Sequence, residues 1–257
     1  MKTTNQPSKY DKDVFILVHG WGGSAKSLAA LARCINVLFS GAFIKVIELP
    51  GHGQTRLPKV FKMQDYGDYV VDEIANYLAK LPKPSSSIKL NLVGHSFGGK
   101  TLLYLATNHK LPNNSEIFLI NSSGIAPKVT FKVKVLLFIT KILKPIKAHF
   151  PTFIRNAFYK YIVRTTDYKN TAENPLLRTT FQQVIAENIA PTELTKINEP
   201  THLIWGELDK YTPLYMGRVL QQYIPNCTLD IVPNATHGLP LRQPEAVGKI
   251  IMKYLTK

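Results

Sequence analysis

A chain of 257 residues that is 45% hydrophobic and 19% charged carries enough apolar material for one substantial core, which excludes a disordered or fibrous protein. Its two cysteines, Cys34 and Cys227, stand far apart and outside any C-x-x-C or Cys/His cluster; they exclude a disulfide framework or zinc site and are expected as reduced thiols, at least one of them buried. A formal charge of +15 raises nucleic acid or another anionic surface as a partner, and where that charge lies along the chain bears on the choice.

Residues 1–12 are polar, without the apolar stretch and small-residue cleavage site of a secretory leader, so a cytoplasmic location is expected. A strand is predicted at 14–18, followed by the small-residue loop His19-Gly20-Trp21-Gly22-Gly23 and a helix at 24–39. Next come a strand at 43–47, the turn Pro50-Gly51-His52-Gly53, a helix at 65–80 and a Pro/Ser loop at 81–87. A strand at 88–93 then runs into Gly94-His95-Ser96-Phe97-Gly98 and a helix at 97–108, and a further strand is read at 117–120. From 121 to 196 no strand is evident, and helices are expected at 131–143, 151–163 and 176–187. Alternation resumes with strands at 202–205 and 228–232 and helices at 213–223 and 244–254. The strands are apolar without a clean two-residue period, which suits burial on both faces. The fold class that follows is α/β: a mostly parallel, doubly wound sheet with helices on both faces, formed by 1–124 and 197–257, with a helical cap inserted at 125–196. The most apolar run, 129–146, is broken by Lys132, Lys134, Lys141 and Lys144, too many charges for a bilayer-spanning helix.

A serine at the apex of a sharp strand-to-helix turn presents its hydroxyl to open space, provided that glycines, here Gly94 and Gly98, clear the neighbouring positions. Ser96 is therefore the candidate nucleophile, and it needs a base that is itself oriented by a carboxylate. Both requirements are met at later strand ends, by Asp209 in Trp205-Gly206-Glu207-Leu208-Asp209 and by His237 in Ala235-Thr236-His237-Gly238. Glu207 reads as a solvated loop acid, and Asp230 lies within a strand too close to the histidine loop to face it. Stabilising an oxyanion calls for two backbone N–H groups, assigned to Phe97 at the start of its helix and to Trp21 in the loop where Gly20 and Gly22 let the backbone approach a substrate. His95 is read as structural, and His19 and His52 as loop histidines bonded to backbone.

These motifs, in this order and over essentially the whole chain, resemble the α/β-hydrolase fold family, in its single-domain form with a helical cap that includes small carboxylesterases and meta-cleavage-product hydrolases. The order serine, acid, histidine is the one that family uses. Some relatives carry the acid after the strand read at 117–120, where this chain has Asn121-Ser122-Ser123-Gly124 and no carboxylate. Haloalkane dehalogenases and epoxide hydrolases of the same fold place an aspartate at the elbow, so Ser96 implies an acyl ester in place of an alkyl ester. The resemblance implies a serine hydrolase of carboxylic esters of small to medium acyl size. Carbon–carbon bond hydrolysis, acyl-carrier or CoA thioester hydrolysis, and a ligand-binding receptor that keeps the triad are the alternatives. No dinucleotide fingerprint, P-loop or metal cluster is present in the sequence, and no cofactor or metal is expected.

Between 127 and 196 twelve Lys or Arg stand against four acids, about half of the net charge. Such a run can be a solvated helix face, a docking surface for an acidic partner such as acyl carrier protein, or a contact with an anionic membrane surface through 131–147. Nucleic acid is not expected, because no nucleic-acid-binding module accompanies the charge.

Overall fold

The computed structural model describes residues 12–82, 88–126 and 174–256. Six strands, β1 (Asp13–Val18), β2 (Phe43–Ile47), β3 (Lys89–His95), β4 (Ser115–Ile120), β5 (Thr201–Gly206) and β6 (Cys227–Val232), form one sheet in the order β2-β1-β3-β4-β5-β6, every pair parallel. The helices are α1 (Ala29–Leu38), α2 (Met63–Leu78), α3 (Phe97–Thr107), α4 (Pro175–Ala186), α5 (Pro191–Leu194), α6 (Leu214–Tyr223), α7 (Leu239–Arg242) and α8 (Pro244–Leu255), all among the described residues.

Alternate residues of the central strands feed two cores. From β1, Val14, Ile16 and Val18 join the layer of α2, α3 and α6, through Tyr66, Val70, Leu102, Leu105 and Leu220. Phe15 and Leu17 join the layer of α1 and α8, through Leu31, Ile35, Val247 and Ile251. All six residues of β1 are buried, as a strand covered on both faces requires. The chain runs from β1 outward to β2 and then returns past β1 to β3, so connections leave β1 and β3 in opposite directions. Between those two strands lies the topological switch point, where sheets of this kind open a crevice at their carboxyl ends.

Several boundaries differ from expectation. The helix expected at 24–39 begins as a 3-10 turn, Ala25–Leu28, because Leu28 (φ −107°, ψ 3°) leaves the helical region before α1 starts. α2 starts two residues early: the Asp65 carboxylate accepts from Lys62 N–H at 2.8 Å, which makes Asp65 a capping residue of the first turn. β3 runs on to His95, and the four-residue helices α5 and α7 are too short for any periodicity to announce. The expectation of at least one buried cysteine is corrected, since Cys34 and Cys227 are both free and only half-buried.

The helix expected at 176–187 is α4, capped by the Asn174 side chain, which accepts from Leu176 and Leu177 N–H at 3.1 Å. Those expected at 131–143 and 151–163, with most of the basic run, lie outside the described residues. No helix among the described residues is long and apolar enough to cross a membrane.

Candidate active site

Val18 pairs with Gly94, His95 with Ile120, Ile120 with Ile204, and Gly206 with Val232. This register brings the loops after β1, β3, β4, β5 and β6 out along one edge of the sheet. At that edge Ser96 has φ 53° and ψ −113°, a left-handed conformation that costs a serine of order 1–3 kcal/mol. Its own peptide groups hold it there: Ser96 N–H donates to Ile120 O at 3.0 Å, and its carbonyl accepts from Lys100 and Ser123 N–H at 3.1 Å. Gly98 passes so close to the Val18 and His19 carbonyls that any Cβ would collide, and a Cβ on Gly94 would lie 2.6 Å from Gly99 Cα. The elbow is thus set by close backbone approach on both sides.

Ser96 Oγ lies 3.0 Å from His237 Nε2, and His237 Nδ1 lies 2.7 Å from Asp209 Oδ2. With Nδ1 nearest a carboxylate, the tautomer that fits carries its N–H there and turns the Nε2 lone pair toward the Ser96 hydroxyl. The Asp209 side chain is fully enclosed while that of His237 is 22% exposed, so the imidazole is open to solvent and the carboxylate is not. Asp209 Oδ1 accepts from Tyr211 N–H (2.8 Å) and Thr212 N–H (3.0 Å), and Oδ2 lies 2.8 Å from the Thr212 hydroxyl. Glu207 is exposed, as expected of it, and accepts from Asn234 N–H at 3.1 Å, fastening the histidine loop. Asp230 faces elsewhere, toward Lys253 Nζ (2.7 Å) and the Tyr254 hydroxyl (2.6 Å).

The loop after β1 is a turn closed by Gly23 N–H donating to Gly20 O at 3.1 Å, with Trp21 and Gly22 at its centre. Gly22 has φ 70°, the conformation a type II turn needs at that position. A Cβ on Gly20 would lie 3.0 Å from that of Ser96, which measures how closely this loop approaches the serine. The Trp21 ring packs edge-on against Phe97 at 5.2 Å, so the two residues proposed to supply N–H groups touch each other. Glu48 braces the loop's far end: its carboxylate accepts from Ala25 N–H (3.1 Å) and Gln54 N–H (2.9 Å), and these bonds hold its pKa below the usual carboxylate range.

Three further histidines surround the site, and burial pulls each of them toward the neutral form. His19 donates from Nδ1 to Gly20 O (2.8 Å) and accepts at Nε2 from Leu49 N–H (3.1 Å), with its pKa lowered. His52 donates to Pro50 O (3.1 Å) and is pulled down to about 4 by burial and by His19. His95 donates from Nε2 to His237 O (2.9 Å) and is pulled down to about 3 by burial and by the adjacent His237. All three bond to backbone.

Sequence reasoning missed Asn121, Thr212 and Lys100. Thr212 had a partial signal, since an Asp followed three residues later by a Thr is a common local hydrogen-bonded turn. Lys100, one turn after Ser96, is buried, and its ammonium donates to Val184 O of α4 at 2.6 Å. Nothing local to Lys100 marks it as anything but a solvated helix residue.

The model of the Alpha/beta hydrolase family matches residues 15–250. An uncharacterized hydrolase of Bacillus subtilis, YugF, is 23% identical over 95% of this chain and 90% of its own. A pimeloyl-[acyl-carrier protein] methyl ester esterase of Neisseria meningitidis serogroup C is 21% identical over 93% of this chain and 92% of its own. Among solved structures, the 2-hydroxy-6-oxo-6-phenylhexa-2,4-dienoate hydrolase of Rhodococcus sp. strain RHA1 superposes with a TM-score of 0.66 at 17% identity, covering 96% of this chain and 91% of that one.

Proposed function

The chain belongs to the alpha/beta hydrolase family, and from that premise we propose that it is a serine hydrolase of carboxylic esters working through an acyl-enzyme. The observation that carries this reading is the unbroken hydrogen-bonded line from Ser96 Oγ through His237 to Asp209, at 3.0 and 2.7 Å. Ser96 Oγ adds to the ester carbonyl as its proton passes to His237 Nε2. The oxyanion that forms is received by the Trp21 and Phe97 N–H groups, the latter free of any partner within its own helix because it opens it. Collapse expels the alcohol, which takes the proton from Nε2 and leaves Ser96 acylated. Water then repeats the sequence: its proton goes to Nε2, its oxygen to the acyl carbon, and Ser96 recovers its proton as the acid departs. Asp209 holds the imidazole tautomer and balances the cation at each turn.

Residues 125–196 form the helical cap over this site in the same proposal, supported by the Phe181 ring of α4, 5.0 Å from Trp21. The similarity to a pimeloyl-carrier methyl ester esterase supports carrier-bound acyl esters as one substrate class. Ser96→Ala is expected to abolish labelling by a fluorophosphonate probe and turnover of p-nitrophenyl esters, with the folded state retained; persistent labelling removes Ser96 from the mechanism. Esters, thioesters and a vinylogous diketone offered to the wild type side by side then read which bond is broken. Preferential turnover of the diketone would overturn the ester assignment.

A further inference from the structure

Asn121 closes β4 and is fully buried, with φ 45° in the left-handed region that asparagine tolerates better than most residues. Its carboxamide is bonded on both sides. Oδ1 accepts from Gly206 N–H at 2.7 Å, at the end of the strand that leads to Asp209. Nδ2 donates to Thr236 O at 3.1 Å and to His237 O at 3.2 Å, in the loop that carries the base. Its main-chain carbonyl lies 2.9 Å from the Thr212 hydroxyl, whose single proton is shared between this oxygen and Asp209 Oδ2 at 2.8 Å. The same hydroxyl oxygen lies 3.2 Å from His237 Nδ1. One side chain thus spans the two loops whose mutual placement sets the His237–Asp209 bond, and the approach is close: a Cβ on Gly206 would lie 2.6 Å from Ala235 O.

We propose that Asn121 is a positioning residue for the hydrolytic reaction, clamping the acid-bearing and base-bearing loops so that His237 keeps Nδ1 on Asp209 and Nε2 on Ser96. The inference rests on the serine-hydrolase reading above. It touches no substrate, so its effect belongs to the chemical step and not to binding. Loss of the clamp lets the histidine loop drift, and displacements near 1 Å at reacting groups cost on the order of 100-fold in rate.

Two variants test it. Asn121→Ala removes the whole bridge; Asn121→Asp is isosteric, keeps the acceptor for Gly206 N–H and exchanges the Nδ2 donor for an oxygen facing two carbonyls. Both are expected to lower kcat and the rate of fluorophosphonate acylation by roughly 10- to 100-fold, with KM within about twofold of wild type. The low-field proton resonance of the His237 Nδ1–H is expected to shift or broaden in both. A purely structural role would lower Tm while leaving kcat per folded site and that resonance unchanged, and this result overturns the proposal. If Asn121→Ala does not fold, Asn121→Asp decides alone. Wild-type protein that resists the probe, or Ser96→Ala that accepts it, defeats the underlying reading; wild-type labelling at Ser96 with unaltered rates in the Asn121 variants defeats only the clamp.

Discussion

His52 is enclosed beside Trp21 and His19, and its Nε2 is buried without a hydrogen-bond partner. Its pKa is about 4 in the folded chain against about 6.5 once unfolded. Between those values the unfolded chain binds the extra proton, so stability present above pH 6.5 is lost as pH falls toward 4, by about 3 kcal/mol from this residue alone. His52→Phe removes that loss and the orphaned nitrogen together, and the Pro50 carbonyl keeps its bond from the Tyr66 hydroxyl at 3.0 Å. Urea titrations at pH 7 and pH 4 are expected to show the wild type losing about 3 kcal/mol more than the variant. Parallel losses would mean that His52 takes up its proton equally in both states. At this scale the sequence names candidates more readily than it names their partners. Ser96, Asp209 and His237 stand out as candidates because the order of three motifs is legible without coordinates, and the structure brings their side chains within hydrogen-bonding reach. Asn121 is not legible in this way, because its side-chain bonds join loops that leave different strands of the sheet; for Thr212 the local Asp-x-x-Thr spacing points to Asp209, but nothing local encodes its bond to the Asn121 carbonyl.

Among the elements, α4, within the 125–196 segment, is fastened at the sheet edge by polar bonds as well as by Phe181 and Val184. Thr180 Oγ1 accepts from Phe61 N–H at 3.1 Å, and the Lys100 ammonium meets the Val184 carbonyl in the last turn, where helix carbonyls lack partners of their own. Burial pulls the Lys100 pKa down to about 8, against the opposing pull of Glu187. Here the unfolded chain holds the extra proton between pH 8 and about 10.5, so the wild type gains stability as pH rises through that window, by about 3 kcal/mol. Lys100→Met lacks this contribution. Whatever its stability relative to wild type at pH 7, that difference is expected to move about 3 kcal/mol against the variant by pH 10.5, as read by denaturant melts at both pH values. A constant difference would show that the ammonium is not desolvated. The central strands were legible because burial on both faces leaves continuous apolar runs. The 3-10 start before α1 was not, being decided by the Leu28 dihedrals, and neither were α5 and α7, whose four residues are too few for a period.

Across the whole molecule the parallel sheet and its two helical layers followed from alternation of strand and helix, and the crevice followed from a strand order that sequence does not state. Net charge is the other global property. A chain at +15 attracts anions toward its surface. For matched substrates, kcat/KM for an anionic acyl ester is expected to fall roughly tenfold from low to high salt while that for a neutral ester stays level. Equal salt response of the two would return the lysines to the role of solvated surface. The two tryptophans divide the molecule in another way. Trp205 is fully enclosed, its Nε1 donating to Thr212 O at 2.8 Å beneath the Asp209 loop, whereas Trp21 lies against Phe97 and Phe181 where α4 meets the elbow. The chain therefore carries two native fluorophores with separate duties, one reporting the integrity of the fold and the other the seating of α4, and replacing Trp205 by Phe would leave a single emitter beside the serine.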